Sequence, residues 1–186
     1  LVADGMGGHR AGDYASRFLV QHLVSCIRQS EGKAPVAVLE KAIRQVNREL
    51  CREAVEKEEL SGMGTTLVAA STDGSTLYVS NIGDSRLYLV RDGKAYQVTR
   101  DHSYVEEMVA AGRMVRGSEE YLSQKNIITR AAGMTERVEA DFFEVDLEDG
   151  DRILLCSDGL TNMVSNGTIG EISSQEISLR ERVEAL

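Results

Sequence analysis

Apolar residues recur at helical spacing over residues 17–29, where Leu19, Val20, Leu23, Val24 and Ile27 share one face. Residues 32–35, which include Gly32 and Pro35, break that run. A second helix is predicted beyond them. Val36, Leu39, Ile43, Val46, Leu50 and Ala54 keep one face apolar, while Glu40, Lys41, Arg44, Arg48, Glu53 and Lys57 cover the other with charge. The pair reads as an amphipathic hairpin lying against a sheet. The period then becomes that of strands, over residues 65–71, 76–81, 86–91 and 94–99. Short connections at Asp73-Gly74, Gly83-Asp84-Ser85 and Asp92-Gly93 predict consecutive hairpins with antiparallel neighbours, which excludes the crossover units of a doubly wound sheet. Ser103 is placed to cap a short helix over 104–111. Residues 112–125 are polar and weakly patterned and read as a mobile surface flap. Two strands at 140–147 and 152–157 close the core, and helical patterns return at 160–164 and 175–186. The expected class is α+β, a sheet sandwich covered by helices.

Two apolar runs end on a carboxylate followed by glycine, Leu1-Val2-Ala3-Asp4-Gly5 and Ile153-Leu154-Leu155-Cys156-Ser157-Asp158-Gly159. The chain has five Asp-Gly pairs. Asp73-Gly74, Asp92-Gly93 and Asp149-Gly150 each lie between strand-like runs, where a hairpin turn explains them. Asp4 and Asp158 differ: a run too glycine-rich for a strand comes after the first, and a helix start comes after the second. A carboxylate held by a strand yet pointing into an open end is well mounted for chemistry.

Composition narrows the classes. Thirty acidic against 21 basic residues, net −9, with no basic cluster, argue against nucleic acid or an anionic membrane as partner. No apolar stretch approaches the ~20 residues of a membrane span. The three cysteines lack metal-ligand spacing and read as reduced, with Cys26 and Cys156 as small core residues, which fits a cytoplasmic setting. A single domain is expected. It reads as incomplete, opening inside a strand and stopping within the helical pattern at Leu186.

The glycines after Asp4 do not make a phosphate loop, because Arg10 stands where a third Gly is needed and no Gly-Lys-Ser/Thr follows. Ser157-Asp158-Gly159 lacks the elbow of a serine hydrolase, and His and Cys are not clustered for zinc. Hard-metal chemistry by oxygen ligands remains, suiting Mg²⁺ or Mn²⁺. Two such ions ~3.5–4 Å apart can activate a shared water for in-line attack on phosphorus. Spacing alone leaves open whether Asp4 and Asp158 meet.

Six blocks carry a resemblance: Val2 to His9 (Val-Ala-Asp-Gly-Met-Gly-Gly-His), Gly62 to Leu67, Asn81 to Tyr88, Thr99 to Ser103, Asn126 to Ala131, and Ser157 to Leu160. Their order resembles that of bacterial metal-dependent protein phosphatases, the PPM or type 2C family. The resemblance implies a four-layer α-β-β-α sandwich, with two antiparallel sheets flanked by helices, and hydrolysis of phosphoserine and phosphothreonine by a water bridging two divalent metals, Mn²⁺ or Mg²⁺. It makes Asp4 the bridge between both metals, Gly5 a carbonyl ligand, Asp158 a ligand of the second, and Asp101 the partner of Asp158 at a third. Asp84 becomes a carboxylate propping the site from behind, and Arg86 a structural ion-pair partner. Met6 stands where many eukaryotic relatives have a histidine acid, and His9 receives no catalytic role. The substrates implied are phosphoproteins, products of a Hanks-type Ser/Thr kinase, and the enzyme is expected to act as a monomer.

The chain departs from that family in lacking the N-terminal strand with its phosphate-binding arginine and metal-binding aspartate, and the C-terminal strand with its Asp-Asn pair. A second class of function therefore stays open, a non-catalytic partial domain that binds partners through the helical pair or exposed sheet edges.

Overall fold

The computed structural model describes residues 1–30 and 35–186, so the predicted break at 32–35 lies largely outside the described residues. Two long helices, α1 (His9–Arg28) and α2 (Pro35–Glu56), form the first layer. Leu19 and Leu23 of α1 pack with Ala42, Ile43 and Val46 of α2 onto Leu67, Ala69 and Ile82 of the sheet beneath. That sheet contains β3 (Leu67–Thr72), β4 (Thr76–Ile82) and β7 (Asp141–Asp146), in the order β3-β4-β7. The second sheet has the order β6-β5-β8, from β5 (Arg86–Arg91), β6 (Lys94–Gln97) and β8 (Arg152–Cys156). All pairings are antiparallel.

Alternation decides which side chain faces which layer. Val68, Leu77 and Val79 point away from the helices and meet Leu87, Leu155 and Val98 between the sheets. Tyr88 points outward instead, to Cys156 and to Ile169 of α6 (Asn166–Ser173). Short helices α5 (Asp158–Thr161) and α7 (Leu179–Ala185) complete that outer layer, giving the expected α-β-β-α sandwich.

Several local expectations change. The predicted opening strand reduces to a bridge between Val2 and Val68, whereas Gly5–Met6, read as too glycine-rich for a strand, forms β1 and pairs with β2 (Gly64–Thr65). Helix α1 begins at His9, earlier than residue 17, because its first two turns bury Ala11, Gly12 and Ala15, residues too small to mark an apolar face. Gly83-Asp84-Ser85 and Asp149-Gly150 are not hairpins. Each carries the chain from the first sheet to the second, since β4 pairs with β3 and β7 while β5 pairs with β6 and β8. Gly83 has φ 96°, and a Cβ there would come within 2.7 Å of Thr66, so the turn is pressed onto the link between β2 and β3 rather than folded back on β4. The flap segment includes a helix, α4 (Glu119–Gln124), capped by Ser118. Helix α6 lay outside the predicted elements because Gly167 and Gly170 dilute its periodicity. Ser103 caps α3 (Tyr104–Ala110) as expected.

Candidate metal centre

Asp4 is fixed through its backbone. Its N–H donates to Thr66 Oγ1 at 2.9 Å, and its carbonyl accepts from the Thr66 N–H at 2.9 Å and the Thr65 hydroxyl at 3.0 Å. The Thr66 hydroxyl also meets Ser85 Oγ at 2.7 Å, tying Asp4 to the turn that carries Asp84. His102 braces that turn from the other side: its N–H donates to the Gly83 carbonyl at 2.9 Å, and its Nδ1 accepts from the Gly83 N–H at 3.1 Å. Gly5, next in the chain, lies against α1 so closely that a Cβ on it would be 1.9 Å from the Gly12 carbonyl oxygen. Asp158 opens α5 directly after β8, and its Oδ2 accepts from Asn162 Nδ2 at 3.0 Å.

These elements bring the predicted carboxylates together. The Asp4 carboxyl lies within hydrogen-bonding reach of Asp158, and its pKa is raised, first by burial and then by the charge of Asp158. Asp84 is pushed up to about 6, by burial first and then by Asp158, Asp101 and Asp4. Asp84, Asp101 and Asp158 line one opening of about 180 Å³, with Arg86, Tyr121 and Asn162 among its walls. A larger groove of about 550 Å³, between α2 and residues 136–142, touches none of the four.

Asp101 is engaged differently. Arg86 Nε reaches its two oxygens at 2.9 and 3.0 Å, Arg86 Nη2 reaches Oδ2 at 2.6 Å, and Gln97 Nε2 donates to Oδ1 at 2.9 Å. The ion-pair role expected of Arg86 is thus present, and it falls on a residue expected to bind metal. Met6 lies in β1, and His9 is exposed at the start of α1. Tyr121, Asn162 and Lys125, which also face the opening, were not singled out from sequence; for Asn162 the signal was its place one helical turn after Asp158.

Among the described residues no three His, Cys, Asp or Glu side chains converge into a ready-made cage. Cations nevertheless suit the site. Two neighbouring carboxyls and a third of raised pKa are an arrangement that positive charge would relieve, and all the donors are hard oxygens.

The protein phosphatase 2C profile matches residues 1–182. Over 188 residues the chain is 40% identical to the serine/threonine phosphatase stp of Listeria innocua, covering 99% of this chain and 75% of that protein. It superimposes on the Mycobacterium tuberculosis serine/threonine phosphatase PstP/Ppp with a TM-score of 0.88 at 39% identity, over 98% of this chain and 77% of that one. The catalytic domain of PstP in complex with two manganese ions is similar too, with a TM-score of 0.82 at 37% identity and the same shares covered. The α-β-β-α layers, the carboxylates gathered where the two sheets meet, and a match running nearly from end to end have one common account: the chain belongs to the protein phosphatase 2C family.

Proposed function

We propose that the chain is a serine/threonine protein phosphatase whose divalent cations, Mn²⁺ or Mg²⁺, are held around Asp4 and Asp158. The approach of those two carboxyls carries the reading, since a half-buried like-charge pair, one member just ahead of β1 and the other at the start of α5, is costly unless it serves a cation. The two manganese ions of the PstP complex support it. Asp4 would sit between two ions, the Gly5 carbonyl would join one, and Asp158 the other. Such ions supply an activated water and neutralise charge on the phosphoryl oxygens.

The protein's own groups do the positioning. Thr65 and Thr66 hold Asp4 by its backbone, Asn162 orients Asp158, and His102 fixes the turn that aims Asp84. Asp101 serves a further ion in this reading only when it leaves Arg86. The phosphoproteins acted on are taken to be products of a Hanks-type kinase, with the enzyme a cytoplasmic monomer. No helix among the described residues is long and apolar enough to cross a membrane.

The test is hydrolysis of a phosphothreonine peptide with Mn²⁺, with Mg²⁺ and with chelator. Turnover that needs the cation and falls at least about 100-fold in Asp158→Asn is expected. Unchanged turnover in chelator would overturn the reading, and a folded chain with no turnover would favour the non-catalytic alternative.

A further inference from the structure

Two side chains of the flap segment are tied to the body of the protein through one carboxylate, and Met114 of the same segment is buried. Glu106, in the first turn of α3, accepts from the Tyr121 hydroxyl at 2.6 Å and from Arg116 Nε at 3.1 Å, both on Oε1, while Arg116 Nη2 pairs with Oε2. The Glu106 side chain is only 12% exposed and that of Arg116 66%, so the anchor is inside and its cation outside. Burial disfavours ionised Glu106, yet the hydrogen bonds from Arg116 and Tyr121 bring its pKa below the ordinary value.

The far end of the segment is fastened independently. The Tyr104 N–H donates to the Ile127 carbonyl and the Thr129 N–H to the His102 carbonyl, both at 2.8 Å. With that end held and Met114 buried near the start, Glu106 fastens the stretch between them through Arg116 and Tyr121. The same chain forms one wall of the carboxylate opening, through Tyr121, Leu122 and Lys125, opposite Asp84, Asp101 and Asp158.

We propose that Glu106 is a positioning residue for substrate: by accepting from Tyr121 and Arg116 together it sets how far the flap stands from the carboxylates, and so governs the fit of a phosphoprotein. This rests on the proposed phosphatase activity. A small phosphate ester meets only the carboxylate end of the opening, whereas the residues flanking a phosphothreonine must pass along the flap wall. Because Arg116 holds both oxygens of the carboxylate that Tyr121 uses, losing it frees the Glu106 side chain to turn and the Tyr121 tether with it.

Arg116 lies outside the opening, so Arg116→Ala is the informative variant. With Mn²⁺, its KM for a phosphothreonine peptide should rise about fivefold, the effect of one partly exposed ion pair, with kcat little changed. Its kcat/KM for p-nitrophenyl phosphate should stay within about twofold. Arg116→Lys should recover part of the peptide KM, and amide hydrogen exchange over residues 113–125 should quicken in Arg116→Ala while the sheet amides stay protected. Unchanged peptide KM and unchanged flap exchange would overturn the proposal, as would an equal loss on both substrates accompanied by a lower Tm. A parent chain that hydrolyses neither substrate would refute the phosphatase reading, and the exchange result alone would then decide whether Glu106 holds the flap.

Discussion

Arg86 grips Asp101 with both arms of its guanidinium group while its remaining nitrogen donates to the Tyr88 hydroxyl at 3.1 Å. The Asp101 side chain is 7% exposed and that of Arg86 22%, so the pair is largely withdrawn from water. The guanidinium acts as a resident cation among carboxylates.

Arg86→Gln removes that charge and leaves Asp101 with Gln97 as its main donor. The variant should lose about 2–3 kcal/mol in urea unfolding, less than a fully buried pair because Arg86 keeps some solvent. Saturating Mn²⁺ should restore part of the loss, since a divalent ion can take the place of the guanidinium. A variant as stable as the parent would show that the ion pair carries little.

Asp158→Asn relieves the repulsion between Asp158 and Asp4. In chelator it should be about 1 kcal/mol more stable than the parent, while the rise in Tm on adding Mn²⁺ should shrink. The amide oxygen keeps an acceptor for Asn162, so lower stability in chelator would contradict mutual repulsion rather than report a lost hydrogen bond.

Gly5→Ala places a methyl group 1.9 Å from the backbone oxygen of Gly12, which can yield only if α1 moves. A loss of at least about 3 kcal/mol, or failure to fold, is expected. Gly167→Ala in α6 makes the contrast, because its Cβ meets nothing nearer than Ser165 Oγ at 3.7 Å. It should gain about 0.5–1 kcal/mol, and circular-dichroism melts of the two variants compare them directly.

Asp73 closes the β3–β4 hairpin. Its Oδ1 accepts from the Thr76 N–H at 2.9 Å and the Ser75 N–H at 3.1 Å, and Oδ2 accepts from the Tyr78 hydroxyl at 3.0 Å. These bonds, led by that from Thr76, lower its pKa from 3.8 to about 2. A depressed folded-state pKa contributes stability that is complete above the unfolded value and lost as pH falls through the folded one. The stability difference between the parent and Asp73→Asn should therefore be constant above pH ~5 and shrink towards pH 2. A difference that stayed constant to pH 2 would show that the carboxylate bonds do not matter.

Strong periodicity made α2, β3, β4 and β5 readable, because large apolar side chains mark the faces that meet the core. The division into two sheets was hidden. A three-residue link such as Gly83-Asp84-Ser85 looks the same whether the strands around it pair or part, and what parts them is the contact of Gly83 and Ser85 with Thr66, distant in sequence. The first two turns of α1 were hidden because close packing against Gly5 demands small residues there. Asp4 and Asp158 stood out because neither is succeeded by a returning strand of the hairpin kind. Arg86 was expected to form an ion pair, but that Asp101 would be its partner depends on a backbone path no periodicity encodes.

The carboxylates are distributed between the two sheets. Asp4 comes after the Val2–Val68 bridge on the first, Asp158 after β8 of the second, and Asp84 lies in the link between them. Their repulsion is thus also a force prising the layers apart along one seam, and a cation seated there would act as a rivet through both. Chelation should then be felt in the core between the sheets, as faster exchange of the amides of Val68 and Leu87, which share the cluster behind that seam.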